Sequence, residues 1–121
     1  MKRILVVDGD QVNLNIVSTV LSESSFNVLT YDTGFNVIEN VKNFSPDVIL
    51  LDIKLPGVCG IEICKKLKSF FSIPILLFSA HEDSDAALKN CGAEAYIQKP
   101  IDRKKFVSLI SFFASYKMAE G

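Results

Sequence analysis

Four apolar runs in this chain lead into residues that can do chemistry. Ile4–Val7 stops at Asp8-Gly9-Asp10, Val48–Leu51 at Asp52 and Ile75–Phe78 at Ser79, and Ala95–Ile97 is followed by Gln98-Lys99-Pro100. Two or three carboxylates gathered at one edge repel one another, and each raises the others' pKa unless a cation joins them. Oxygen ligands completed by a few waters suit Mg²⁺. A carboxylate beside such an ion, a lysine and a hydroxyl can attack phosphorus. The metal and Lys99 neutralise charge on the equatorial oxygens, and Ser79 donates a hydrogen bond to one of them. The product is a phosphoryl group on an aspartate. On chemistry alone that aspartate is either Asp52 or Asp8.

These residues act together only if the fold collects them. Ile4–Val7 is a β-branched-rich strand, and Val12, Ile16 and Val20 with Leu14, Val17 and Leu21 recur at helical spacing to about Ser24. Phe26–Tyr31 reads as a second strand and Asp32-Thr33-Gly34 as a turn, before a weaker helix through Phe35, Ile38, Val41 and Lys42. Val48–Leu51 is the third strand, followed by a loop with Pro56-Gly57 and Gly60 and a helix over Ile61–Phe70. Ile75–Phe78 is the fourth strand, Asp83–Cys91 a short helix stopped by Gly92, and Ala95–Ile97 the fifth strand. Asp102 caps a last helix reaching about Tyr116. Strands that are apolar throughout are buried on both faces. Their alternation with helices predicts an α/β fold, a five-stranded parallel sheet with helices on both sides. Ligands of such sheets sit at the carboxyl ends of the strands, which is where Asp8, Asp52, Ser79 and Lys99 fall.

The 121 residues amount to a single domain over 1–121, and 49 % hydrophobic against 22 % charged is a globular composition. A net charge of −1 excludes nucleic-acid binding through a bulk positive field, and five βα units leave no recognition helix over. The apolar runs are too short for a membrane span or a signal peptide. Cys59, Cys64 and Cys91 cannot all pair within one chain, and with no secretion signal they read as free thiols in a reducing cytoplasm.

Over nearly its full length the chain resembles the receiver domain of two-component response regulators. The matching pieces are Ile4-Leu5-Val6-Val7-Asp8; Asp52 followed by Ile53-Lys54-Leu55-Pro56-Gly57 and Gly60; Leu77-Phe78-Ser79-Ala80; and Gly92 through Pro100. The resemblance implies a flavodoxin-like (βα)5 fold with strand order 2-1-3-4-5. It implies a signalling domain rather than an enzyme on other substrates: Asp52 as phosphoacceptor, Lys99 as the phosphate-binding lysine, Ser79 as switch hydroxyl and Tyr96 as the switch aromatic. The bond before Pro100 is expected to be cis. Mg²⁺ is the implied cofactor, held by Asp8, Asp52 and the backbone carbonyl of Lys54. The implied partner is a histidine kinase or a phosphotransfer protein. A homodimer or partner contact is expected on the face of the fourth helix, fifth strand and fifth helix, about Asp83 to Tyr116, with Lys89, Arg103 and Lys104 as charged contacts. Phe112 and Phe113 are adjacent, so one helix cannot turn both to the core. Lys54 and His81, two residues past Asp52 and Ser79, are the family's positions for tuning phosphate lifetime. The domain either stands alone or is excised from a longer regulator.

One residue departs from the family pattern. Two adjacent acids usually follow the first strand, and Gly9 stands where the second belongs. Mg²⁺ binding is therefore expected to be weakened, with Asp10 as the one nearby acid able to compensate, given the backbone freedom of Gly9. Asp10 is also the better helix-cap candidate. Two other readings compete. A degraded metal site suits a phosphorylation-independent binding module. Asp8-Gly9-Asp10-Gln11-Val12 also resembles the first motif of haloacid-dehalogenase-type phosphohydrolases, with Asp8 as nucleophile and Asp10 as general acid, although no cap insertion or later acidic pair accompanies it. Lys65, Lys66 and Lys68 read as a solvated helix face.

Overall fold

The apolar runs are buried on both faces of one sheet. The computed structural model describes residues 1–79 and 90–115, and within them β1 (Arg3–Val7), β2 (Asn27–Tyr31), β3 (Val48–Asp52), β6 (Ile75–Ser79) and β7 (Ala95–Gln98) form a five-stranded parallel sheet. Its order is β2-β1-β3-β6-β7. Two short strands, β4 (Lys54–Leu55) and β5 (Val58–Cys59), pair separately. With those set aside the order is the expected 2-1-3-4-5 arrangement.

Alternate residues of each central strand point to opposite layers, as the period of two requires. Ile4, Val6, Val48, Leu50, Leu76 and Phe78 pack with Leu14, Val17 and Leu21 of α1 (Gln11–Glu23) and with Phe106 and Ile110 of the C-terminal helix (Arg103–Ser115). Leu5, Val7, Ile49, Leu51, Ile75 and Leu77 pack with Val37 and Val41 of α2 (Val37–Phe44) and with Ile63, Cys64 and Leu67 of α3 (Gly60–Phe70). Parallel strands need helical crossovers, and those crossovers cover both faces.

The helical stripe of α1 is offset from the expected one. Val12 and Ile16 are 67 % and 48 % exposed, and the buried face is Asn13, Leu14, Val17, Val20 and Leu21. Asp10, not Asp8, is its N-cap, accepting the backbone N–H groups of Val12 and Asn13 on Oδ1 at 3.0 and 3.4 Å. Asp102 caps the C-terminal helix as expected, accepting the Lys105 N–H. On that helix Phe112 is exposed and Phe113 packs against the core, their rings edge to face at 5.1 Å.

Lys68 does not sit on a solvated face. Its ammonium bonds both carboxylate oxygens of Glu94, at 2.9 and 3.2 Å, and the Ile73 carbonyl, while Glu94 also accepts the Ile75 N–H at 2.7 Å. This ties α3 to the amino ends of β6 and β7, opposite the carboxyl edge. The three cysteines are free thiols, Cys59 exposed and the others buried. Cys64 donates to the Cys91 carbonyl at 3.5 Å, and burial first, then the Cys91 neighbour, pushes its thiol far above the usual range. His81, Lys89, Tyr116 and most of the helix expected over Asp83–Cys91 lie outside the described residues.

The loop expected after Asp52 is a hairpin. Lys54 pairs with Cys59 and Leu55 with Val58 around Pro56-Gly57, and Gly57 takes the positive φ of 71° that such a turn demands. Gly60 closes it by donating its N–H to the Ile53 carbonyl at 2.7 Å. A Cβ there would collide with the Asp52 carbonyl oxygen and press on the Ile53 Cα. Only glycine lets α3 begin against the end of β3. Gly60→Ala should therefore cost roughly 2 kcal/mol or more, read as a lower urea midpoint at unchanged m-value.

Candidate functional site

The sheet register brings the two candidate carboxylates side by side. Val7 is the partner of Leu51 across β1 and β3, so the next residues, Asp8 and Asp52, leave adjacent strands together. Asp8 is anchored through its own N–H to the Tyr31 carbonyl at 3.0 Å, and Asp52 is followed by the Ile53 N–H bond to the Phe78 carbonyl. Asp8 is fully buried and Asp52 is 6 % exposed.

Lys99 lies between them. Its ammonium reaches Asp8 Oδ2 at 2.9 Å and Asp52 Oδ2 at 3.1 Å, with its side chain 14 % exposed. The Lys99–Pro100 peptide is cis, as the sequence led one to expect. The remaining donors are unequally shared. Asp8 accepts the Asp10 N–H on Oδ1 at 2.8 Å and the Asn13 side-chain amide on Oδ2 at 2.6 Å. Among the described residues Asp52 accepts only the Lys54 N–H, on Oδ1 at 3.2 Å, besides Lys99.

This inequality splits the pair electrostatically. Burial pushes the Asp52 carboxyl up, the neighbouring Asp8 adds to it, and the group rises from an ordinary 3.8 to about 6. Burial opposes ionisation of Asp8 as well, but its hydrogen bonds with Asp52, the Asp10 N–H, Lys99 and Asn13 outweigh it and hold Asp8 below the usual carboxylate value. Lys99 feels the same burial, and its two carboxylate partners keep it above an ordinary lysine. Asp8 is the fixed anion and Lys99 the fixed cation. Asp52 is the basic, less stabilised member, which is what a nucleophilic carboxylate requires.

The other expected site residues are placed less uniformly. Lys54 is exposed, and its backbone belongs to β4 and binds Asp52. Tyr96 is half-buried in β7 and packs against the α2–α3 layer. Ser79 ends β6 in register with Gln98; its side chain, like all of His81, lies outside what is described. Asp10, the other expected metal ligand, caps α1 through its Oδ1. Asn13 was missed. It stands on the buried stripe with Val17 and Val20, and a polar residue at that spacing is the signal that could have found it.

Two carboxylates against one ammonium leave a negative charge uncompensated at the site. Its donors are oxygens, which suits Mg²⁺. The set is thin, for no group of three or more His, Cys, Asp or Glu side chains is assembled for a metal among the described residues. The residues fit the ion in donor type, and Gly9 beside Asp8 adds no side-chain oxygen to them. A Cβ at Gly9 would stand 3.0 Å from Pro56 Cδ, so a side chain there requires only a small shift of that ring.

The profile for the response regulator receiver domain matches residues 4–111. Among curated relatives, the DNA-binding response regulator MtrA of Mycobacterium tuberculosis is 34 % identical over 111 residues, covering 90 % of this chain and 49 % of MtrA. The polar-differentiation response regulator DivK of Brucella ovis is 27 % identical over 117 residues, covering 93 % of this chain and 95 % of DivK. The chain thus spans about half the length of MtrA and nearly all of DivK. Among solved structures, a CheY-like receiver domain protein from Methanospirillum hungatei superposes with a TM-score of 0.86 at 26 % identity, covering 94 % of each chain. The BeF3-activated receiver domain of Klebsiella pneumoniae RstA shares the fold with a TM-score of 0.89 at 24 % identity, over 95 % of this chain and all of that one.

The raised Asp52 carboxyl has a sign that can be measured. A folded-state pKa above the unfolded one favours the protonated group in the fold, so Asp52 lowers stability as pH rises from about 4 through about 6. Asp52→Asn removes that charge. The variant should match the wild type below pH 4 and exceed it at pH 7 by on the order of 2 kcal/mol, seen as a gap in melting temperature that opens across this window.

Proposed function

The chain belongs to the response regulator receiver domain family, and on that premise we propose that it is the phosphoacceptor of a two-component relay, with Asp52 as the accepting residue. The observation that carries the reading is the buried Lys99 bridge between Asp8 and Asp52. It joins a permanent cation to a carboxylate held basic by its surroundings.

A phosphodonor presents its phosphoryl group at the carboxyl edge of β3. An Asp52 carboxylate oxygen forms the new bond to phosphorus as the bond to the donor breaks. Lys99 stays charged throughout and neutralises the phosphoryl oxygens. Asp8, locked by its donors, keeps its anionic oxygens facing the centre. Asp8, Asp52 and the Lys54 backbone carbonyl are the groups that would hold Mg²⁺, which supplies charge neutralisation to the transferring group when bound. Neutral pH suits the step, since Asp52 titrating near 6 is mostly ionised there and more basic than an ordinary carboxylate.

The phosphorylated state adds a dianion beside Lys99. We assign Ser79 to donate to it and Tyr96 to reorient into the space released, a population shift that changes the face of β7 and the C-terminal helix. Lys54 and His81 tune how long the phosphoryl group lasts. The partners are a histidine kinase or phosphotransfer protein and, on the switching face, a second copy of the chain. Free thiols accord with a cytoplasmic setting, and no helix among the described residues is long and apolar enough to cross a membrane. A phosphorylation-independent binding module is the second reading, and Gly9 is the observation that favours it.

Intact-protein mass after incubation with acetyl phosphate separates the two. A Mg²⁺-dependent phosphoryl adduct that disappears in Asp52→Asn is expected. No adduct from either acetyl phosphate or a cognate kinase would leave the binding module, and an adduct surviving the substitution would move the nucleophile to Asp8. Gly9→Asp should bind Mg²⁺ about tenfold or more tightly than the wild type, and equal affinities in a calorimetric titration would remove Gly9 as the weakening feature.

A further inference from the structure

Asp8, Asp52 and Asn13 are the buried polar residues of the described chain, and all three meet at one place. Asn13 is 8 % exposed. Its side-chain nitrogen donates to Asp8 Oδ2 at 2.6 Å, so the amide is aimed at the carboxylate cluster. Its carbonyl oxygen, Oδ1, has no hydrogen-bond partner among the described residues. A buried acceptor left without a donor is destabilising, and the interior normally supplies one. Gln11 and Asn15, also on α1, satisfy each other at the surface instead.

A purely structural asparagine is a poor account of this geometry. If its task were only to steady Asp8, its donor half would suffice and the acceptor half would remain a buried liability. The amide also lines an open groove of about 400 Å³ with Asp10, Val12, Ile16, Lys99 and Pro100. An amide oxygen is a hard, neutral ligand of the kind Mg²⁺ accepts. It adds a donor beside Asp8 without adding a third negative charge to a pair that already repels.

We infer that Asn13 Oδ1 is an oxygen donor of the divalent-cation site, directly or through one bound water, in the role left open by Gly9. The inference rests on the reading of Asp8 and Asp52 as the carboxylates that hold the ion. It places the missing ligand on the first turns of α1, five residues beyond Asp8, rather than at the strand end.

The test is calorimetric titration of the whole unphosphorylated chain with MgCl₂, in the wild type, Asn13→Ala and Asn13→Asp, with circular dichroism to confirm folding. Asn13→Ala should weaken Mg²⁺ binding about tenfold or more. Asn13→Asp, which keeps an oxygen and gives up the amide donor, should bind at least as tightly as the wild type and show a larger Mg²⁺-induced rise in Tm. Unchanged affinity in Asn13→Ala overturns the inference. So does an Asn13→Asp variant weaker than the wild type, because the N–H donor rather than the oxygen would then be what matters. That second comparison decides the question even if Asn13→Ala fails to fold. Wild-type binding that both variants match overturns the role of Asn13 and leaves Asp52 as phosphoacceptor intact, whereas a wild type that binds no Mg²⁺ overturns the metal site itself.

Discussion

Two carboxylates leaving adjacent strands of a buried sheet repel each other, and one ammonium group holds them together. Lys99 reaches both Asp8 and Asp52 within 3.1 Å, in a site where neither carboxylate has much access to water. Removing charges from water is expensive unless they are paired and hydrogen-bonded. The site meets that condition for Asp8, which collects donors from the Asp10 backbone, Asn13 and Lys99. It meets it only in part for Asp52. The imbalance converts a structural liability into a basic carboxylate positioned beside a fixed cation.

The rest of the fold is arranged so that this imbalance survives. Parallel strands buried on both faces fix the register that sets Asp8 beside Asp52, because a slip by one residue would turn every side chain to the opposite layer. The Pro56-Gly57 hairpin and the close approach of Gly60 set the backbone immediately after Asp52, including the Lys54 N–H that it accepts. At the other end of the sheet, Lys68 and Glu94 satisfy each other and the strand ends, which keeps a second, half-buried ion pair away from the carboxyl edge. Chemistry and stability are thus separated along the strand direction, as carboxyl and amino ends.

Gly9 follows Asp8 at the end of β1 and brings no side-chain charge to the site. Asp10 Oδ1 is engaged at the start of α1. Asn13 donates its side-chain N–H to Asp8 Oδ2 and, being neutral, adds no charge to the pair.

Most of the architecture was legible in the order of residues. Unbroken apolar runs, each stopped by a polar residue, determined the parallel sheet, and the position of the stops determined that Asp8, Asp52 and Lys99 would share an edge. These follow from period and polarity, which are local properties of the chain. Tertiary structure alone decided the rest. Whether Asp10 caps a helix or faces the site, whether Val12 and Ile16 or Asn13 lies inward on α1, whether the segment after Asp52 is a loop or a hairpin, and whether Lys68 is solvated or paired with Glu94 all depend on groups distant in sequence. The division of charge between Asp8 and Asp52 depends on them most of all. Each carboxyl responds to burial and to the donors that packing delivers, and neither can be counted until the strands, α1 and the Lys99 loop have met.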